Sequence, residues 1–168
     1  MQEIVKGNAW IFGNDINTES IMPTSVFHDV NKAAEVCMAF YDPEFPKKAK
    51  PGDFVIAGTN FGNSSSRPAV GAFIAMKLSA AICESVARIF DRNAWNLGFP
   101  VFECKGITEM VSKGDEIELN IVTGQVKNLT TNKELQAKKP VDIQLERWRD
   151  GGIYQWIKNN KDKIDGVE

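Results

Sequence analysis

The segment that most narrows what this chain can fold into runs from Asp53 to Leu78. DFVIAG (53–58) is a short apolar run without alternation, bounded by Pro51-Gly52 and Gly58-Thr59, the pattern of a buried strand feeding a loop. The loop, Asn60-Phe61-Gly62-Asn63-Ser64-Ser65-Ser66-Arg67, is small, polar and turn-prone, and Pro68 then opens an apolar helical stretch, AVGAFIAMKL. Proline suits a first helical position and a preceding serine can cap, so the sequence predicts a loop that runs straight into a helix amino terminus. Ala80–Cys83 repeats the theme as a second strand, followed by the helical ESVARIFDRNAWNLG, with Gly98 as the closing residue, and by the strand FPVFEC. The middle of the chain therefore has βαβ character.

The flanks differ. Glu3–Phe12 reads as a strand that ends in a turn at Gly13-Asn14-Asp15. Asn31–Phe40 has helical spacing, and the loop YDPEFPKKAKPGD with its three prolines follows. From Asp115 the text alternates around Thr123-Gly124, a hairpin signal, and the helical last stretch from Ile143 is broken at Gly151-Gly152. The reading is one layered α/β or α+β domain over residues 1–168, with a flexible tail at 162–168.

Composition excludes several classes. Twenty Lys plus Arg against 22 Asp plus Glu leave a formal charge of −2, so neither nucleic acid nor a membrane is expected as partner. No run of about 18 apolar residues exists and the amino terminus carries no signal-like segment, which makes a cytoplasmic location the expectation. Cys37, Cys83 and Cys104 are far apart with no C-x-x-C, and His28 is the one histidine. No metal site and no two-histidine mechanism is expected within this polypeptide. No carboxylate pair stands at a diagnostic spacing either.

Three segments remain as candidates for chemistry. The loop 60–67 brings small residues and a helix amino terminus together, an arrangement suited to an anion, and Arg67 can grip a carboxylate with two hydrogen bonds. The same residues also read as ordinary caps with a solvated charge; the phosphate-loop pattern is missing. GNDINTESIMP (13–23) places Asp15 and Glu19 near a turn, and Arg88 and Arg92, with Asn93, lie one helical turn apart on one face.

Taken together and in this order, the segments resemble the small-subunit, swivelling-domain family of the aconitase superfamily, most closely the archaeal-type small subunits of 3-isopropylmalate dehydratase. The family pattern G-x-x-x-D-T-D-x-I-x-P is matched by Gly13, Asn17, Thr18, Glu19, Ile21 and Pro23. N-F-G-x-G-S-S-R-E-H-A is matched by Asn60, Phe61, Gly62, Ser65, Ser66 and Arg67. S-F-A-R-I-F-x-R-N-x-x-N-x-G-L-P is matched by Ser85, Ala87 to Phe90, Arg92, Asn93, Asn96, Gly98 and Pro100. The departures are Asn63 and Ser64 for a small residue and glycine, Pro68 and Ala69 for Glu-His, and Asn17 and Glu19 where aspartate is usual.

The resemblance implies a three-layer β/β/α domain that closes over a large subunit carrying a [4Fe-4S] cluster, with no cofactor bound by this chain. It implies Ser65 as the base, Glu19 as the acid that orients a group of the large subunit, and Ser64, Ser66 and Arg67 as binders of a small dicarboxylate substrate. Arg88, Arg92 and Asn93 would support them. Substrate choice would fall to Thr24, Ser25, Val26, Phe27 and His28, a stretch without Arg or Lys that suits an apolar branch. That ranks 3-isopropylmalate first, citramalate and 2,3-dimethylmalate next, and homoaconitase chemistry below them. A non-catalytic swivelling module is the competing expectation, and self-association of the isolated chain is a further one.

Overall fold

The structure is a computed structural model that describes residues 2–26, 28–64 and 68–161. Seven strands form one sheet in the order β4-β3-β2-β1-β5-β6-β7. The strands are β1 (Ile4–Ile11), β2 (Phe54–Ala57), β3 (Ala80–Cys83), β4 (Val101–Glu103), β5 (Glu116–Asn120), β6 (Gln125–Asn128) and β7 (Lys133–Gln136). β1 to β4 are parallel neighbours and β5 to β7 pair antiparallel.

The two halves share β1. Its first residues pair antiparallel with β5, Ile4 opposite Asn120 to Asn8 opposite Glu116, while Ala9, Trp10 and Ile11 pair parallel with Phe54, Val55 and Ile56. At the change of partner stands Gly7, where an added Cβ would lie 2.1 Å from the Gly52 carbonyl oxygen. Asp53, 3 % exposed, ties the join together: its carboxylate accepts from the Asn8 amide at 3.0 Å, the Trp10 indole N–H at 2.9 Å and the Lys50 amide at 2.8 Å.

Because every residue of β2 and β3 is buried, side chains leave these strands into two separate cores. Val55, Ala57, Ala81 and Cys83 meet the helices α1 (Thr18–Ile21), α2 (Val30–Val36), α4 (Val70–Ala75) and α5 (Arg88–Leu97). Phe54, Ile56, Ala80 and Ile82 meet Ile117, Leu119 and Val126 of the antiparallel half, with α6 (Ile107–Met110) and α7 (Asp142–Asp150) contributing Ile107, Leu145 and Trp148. The sheet thus curls so that its antiparallel half covers one face of its parallel half, and helices cover the other. These are the three layers that the resemblance implies.

Several local expectations change. α2 ends at Val36, not Phe40, because Met38 adopts a left-handed φ of 57° and its amide turns to bond Ser20 O at 3.1 Å. The proline-rich loop contains a short helix, α3 (Phe45–Lys48), with Pro46 in the first turn, where its missing N–H costs nothing. α4 starts at Val70 with Ala69 in the cap position and no side-chain cap bond, so Pro68 belongs to the turn before the helix rather than to its first position. β7 lengthens the anticipated hairpin into a three-stranded meander. α7 and α8 (Ile153–Asn159) break at Gly151-Gly152 as expected. Tail 162–168 lies outside the described residues, and no described helix is long and apolar enough to cross a membrane.

Three outcomes follow from this packing. Asp53→Ala strips the acceptor from three donors and should lower unfolding free energy by about 2–3 kcal/mol in chemical denaturation. Gly62 has a φ of 77° and an added Cβ would lie 2.3 Å from the Phe90 side chain, so Gly62→Ala should cost roughly 2–4 kcal/mol in the same assay. Burial pushes the Cys104 thiol up to about 11 and those of Cys37 and Cys83 higher still, and thiolate is the reactive form. A thiol reagent should therefore label none of the three cysteines rapidly in the native protein and all three after unfolding; rapid native labelling would contradict the packing.

Candidate functional site

The carboxyl ends of β1, β2 and β3 open into the three segments that carry the sequence patterns, the usual ligand-binding edge of a parallel sheet. The structure joins them beyond the strands. Gly58 N donates to Gly13 O at 3.1 Å, Asp15 N to Thr59 O at 2.9 Å, Gly62 N to Ile16 O at 2.7 Å and Thr18 N to Asn63 O at 3.0 Å, so the second loop runs beside the first for its whole described length. On the other side Phe61 N donates to Ser85 O at 3.1 Å and Ala87 N to Phe61 O at 2.8 Å. Isolated bridges at Asn17 with Asn63 and at Phe61 with Val86 extend the parallel ladder into the loops.

Aromatic packing holds this rim down. Phe61 is fully buried, stacked on Phe73 of α4 at 6.3 Å and edge-on to Phe90 of α5 at 5.2 Å. The middle residue of the N-F-G pattern is therefore an anchor, and Gly62 lets Phe90 come against the loop backbone. Side chains add cross-links: Asn60 Nδ2 donates to Asp15 Oδ1 at 2.8 Å, Asn60 N to Ser85 Oγ at 2.9 Å and Asn63 Nδ2 to Asn60 O at 3.1 Å. Sequence reading placed Asp15 in a candidate segment and matched Asn60 and Ser85 to the family patterns, but paired none of them with another. Their signal was the recurrence of hydrogen-bonding side chains at turns, which cannot name a partner without the fold.

Asn17 caps α1, its Oδ1 accepting from Ser20 N at 2.8 Å and Ser20 Oγ at 3.0 Å. Glu19 is the second residue of that helix, exposed, and its Oε1 accepts from Thr24 Oγ1 at 2.8 Å. Glu19 and the stretch beginning at Thr24 are thus in direct contact. Thr24–Val26 form a 3-10 turn on which Thr24 and Ser25 are exposed, whereas Val26 packs partly against the helix-side core. His28 is exposed in the turn before α2. Phe27, Ser65, Ser66 and Arg67 lie outside the described residues.

Ser64, the last described residue before that gap, is exposed and holds a φ of 84°. The backbone keeps the left-handed conformation that the family pattern serves with glycine, at a cost to serine of about 1–2 kcal/mol. α4 has six residues and no side-chain cap, so the anticipated anion-binding helix amino terminus reduces to the loop itself. Arg88 and Arg92 are exposed and line one shallow recess with Asp91 and Trp95, while Asn93 is half-buried on α5. Burial raises the Asp91 carboxyl above its ordinary value, against the Trp95 indole N–H that donates to it at 2.9 Å.

Beside Ser85, burial works to raise Glu84, but the amides of Thr108, Gly106 and Ile107 and the Thr108 hydroxyl outweigh it and hold the carboxyl below its usual value. Glu84 accepts from Gly106 N at 2.9 Å and Thr108 N at 3.0 Å, so it fastens the third loop to α6. Cys83 and Cys104 are neighbours on adjacent strands yet enter opposite cores, and Cys37 sits among the helices. Three such thiols cannot converge on one cluster, and the described residues contain no group of three or more His, Cys, Asp and Glu that could hold a metal ion.

Comparison with known proteins agrees with this geometry. The aconitase C-terminal domain model matches residues 11–106, the span of the three loops. The isopropylmalate/citramalate isomerase small subunit of Methanocaldococcus jannaschii is 44 % identical over 163 residues, covering 94 % of this chain and 96 % of that protein. The 3-isopropylmalate dehydratase small subunits of Methanopyrus kandleri and Thermodesulfovibrio yellowstonii are each 41 % identical, over 94 % and 92 % of this chain and 95 % and 94 % of their own lengths. Among solved structures, 3-isopropylmalate dehydratase from M. jannaschii superposes with a TM-score of 0.89 at 34 % identity, covering 98 % of this chain and 99 % of that one. With its three loops knitted into one rim and its likeness spanning nearly the whole chain, this protein belongs to the aconitase C-terminal domain family, among the hydro-lyase small subunits of the 3-isopropylmalate dehydratase type.

Proposed function

We propose that the chain is the small subunit of a heteromeric hydro-lyase that interconverts 2- and 3-isopropylmalate by loss and return of water. The observation that carries this reading is the continuous hydrogen-bonded rim of residues 13–19, 58–64 and 85–88, in a chain whose relatives bear that activity in their names. The rim offers hydroxyls, amides and the two carboxylates of Asp15 and Glu19 on an open edge. None of these alone expels a hydroxide, so the site needs a second chain to be complete.

The large subunit, in this reading, holds a [4Fe-4S] cluster that supplies a Lewis acid for the departing hydroxyl. This chain's own residues do the rest. Ser65 takes the proton from the carbon beside a substrate carboxylate, and the electron pair of that C–H bond forms the alkene as the C–O bond breaks. A serine is a poor base unless nearby donors stabilise its alkoxide, and the surrounding loop amides have that task. Arg67 and Ser66 grip a carboxylate, with Ser64 beside them. Glu19, steadied by Thr24, orients a group of the large subunit. Ser25, Val26, Phe27 and His28 border the substrate's branch, and the partial burial of Val26 presents a fixed apolar wall. Arg88, Arg92 and Asn93 support the rim from α5.

Citramalate is a second substrate in this reading, because the M. jannaschii relative carries both isopropylmalate and citramalate in its name. The test is co-expression with a cognate large subunit, anaerobic handling with the cluster intact, and alkene absorbance with 3-isopropylmalate, citramalate, 2,3-dimethylmalate and homocitrate in parallel. Turnover of 3-isopropylmalate by the complex and by neither chain alone is the expected result, with Ser65→Ala reducing kcat by about 10²–10⁴-fold. A stable, cluster-bearing complex that turns over none of the four would return the chain to the non-catalytic alternative. Preference for homocitrate would overturn the apolar-branch assignment.

A further inference from the structure

We infer that Asn60 is a positioning residue for the reaction: it is the hub through which the three loops of the rim hold one another, and it acts on the serine segment through them. The inference rests on the hydro-lyase reading above and adds a residue to which that reading gives no role. Asn60 spends three polar groups on three different partners. Its side-chain amide donates to Asp15 Oδ1 of the first loop at 2.8 Å, its backbone N–H donates to Ser85 Oγ of the third at 2.9 Å, and its carbonyl accepts from Asn63 Nδ2 of its own loop at 3.1 Å.

The backbone makes the choice of asparagine informative. Asn60 has a φ of 57° and its partner Asp15 a φ of 55°, both left-handed. Were the position selected for that conformation alone, glycine would meet it with less strain. Asparagine tolerates the conformation and adds an amide, and the amide is aimed across the loops. Both residues are exposed, so the bond between them contributes little to global stability; exposed polar pairs are worth well under 1–2 kcal/mol.

What the strap controls is local. Asn60 sits midway along the paired stretch: before it Gly58 N bonds Gly13 O and Asp15 N bonds Thr59 O, and after it come Phe61 N to Ser85 O, Gly62 N to Ile16 O and the Thr18 amide to Asn63 O, Thr18 being the residue before Glu19. Ser64 follows at once. Asn60 thus clamps the middle of this ladder to both neighbouring loops, and Asn63 sets how the helix that carries Glu19 stands against the entrance to the serine segment. A displacement of about 1 Å between such groups is enough to cost on the order of 10²-fold in rate.

The experiment uses four variants. Asn60→Gly keeps the left-handed backbone and removes the amide. Asn60→Asp leaves two carboxylates facing, Asp15→Asn keeps an amide oxygen that still accepts the Asn60 N–H and so removes only the charge, and the double variant Asp15→Asn/Asn60→Asp restores a donor–acceptor pair with its direction reversed. In the complex with the large subunit, Asn60→Gly and Asn60→Asp should each lower kcat by about 10- to 100-fold and Asp15→Asn by less than about 5-fold, with KM changed less than about 3-fold and the thermal midpoint of the isolated chain nearly unmoved. The reversed pair should recover kcat to within about 5-fold of the unaltered complex, a rescue that a merely structural role would not produce.

Hydrogen exchange on the isolated chain supplies a readout that does not depend on turnover. The amides of Gly62 and Thr18 should exchange faster in Asn60→Gly than in the unaltered chain, while those of β2 and β3 stay the same. Full kcat in Asn60→Gly, or a reversed pair no better than Asn60→Asp, overturns the inference. If the unaltered complex shows no hydro-lyase turnover, the functional reading fails and exchange alone decides: unchanged rates at Gly62 and Thr18 overturn the hub, and faster rates there uphold it.

Discussion

The structure depends on one strand serving two sheets. β1 gives its first five residues to an antiparallel partner and its last three to a parallel one, and the sheet bends where it changes partner. A bend of that kind leaves polar groups between the halves, and Asp53 satisfies three of them from a buried position. The close approach of the Gly52 carbonyl at Gly7 shows how little room the join leaves. From this join come both cores, since curling the antiparallel half over the parallel half is what buries β2 and β3 on two faces. Residues at the ends of those strands are then exposed on one edge only, which is where the site lies.

The site is built as an extension of the sheet. Backbone bonds between loops at 2.7 to 3.1 Å continue the pairing past the strand ends, and buried Phe61 pins the middle loop from below. The arrangement is stiff at its base and polar at its rim. It carries the groups that hold a dicarboxylate and move a proton in our proposal, but the three thiols that a cluster would need are split between two cores.

The departures from the family pattern can be weighed physically. Ser64 stands where the pattern has glycine and still takes a left-handed φ of 84°, so the loop keeps its path at the expense of some strain. Asn17 in place of aspartate still caps α1 through its side-chain oxygen. Glu19 in place of aspartate reaches one methylene further and meets the Thr24 hydroxyl. Ser64 and Asn17 thus keep the backbone conformation and the cap of their positions, while Glu19 makes a side-chain contact of its own.

Much of the fold was legible in the sequence because strand and helix signals are local. The apolar run 53–58, the period-2 text after Asp115 and the breaks at Gly98 and Gly151-Gly152 all mark what the structure contains. Less legible were α3, whose Pro46 looks like a loop signal but is tolerated in a first turn, and the early end of α2, which a distant bond from Met38 to Ser20 imposes. The sequence patterns also singled out three loops that the structure joins at one edge. They were silent on Asn60, Asp15 and Ser85 as mutual partners, since residues 25 and 45 positions apart share no local periodicity.

By itself, then, the sequence determined the kinds of element, their order and the polar character of three loops, because propensity, turn chemistry and apolar spacing act over a few residues. Only the tertiary structure decided that β1 is shared, that the sheet curls into two cores, and that the three loops meet at one edge. Those outcomes depend on burying apolar faces from distant parts of the chain at the same time, and no short stretch of sequence contains that constraint.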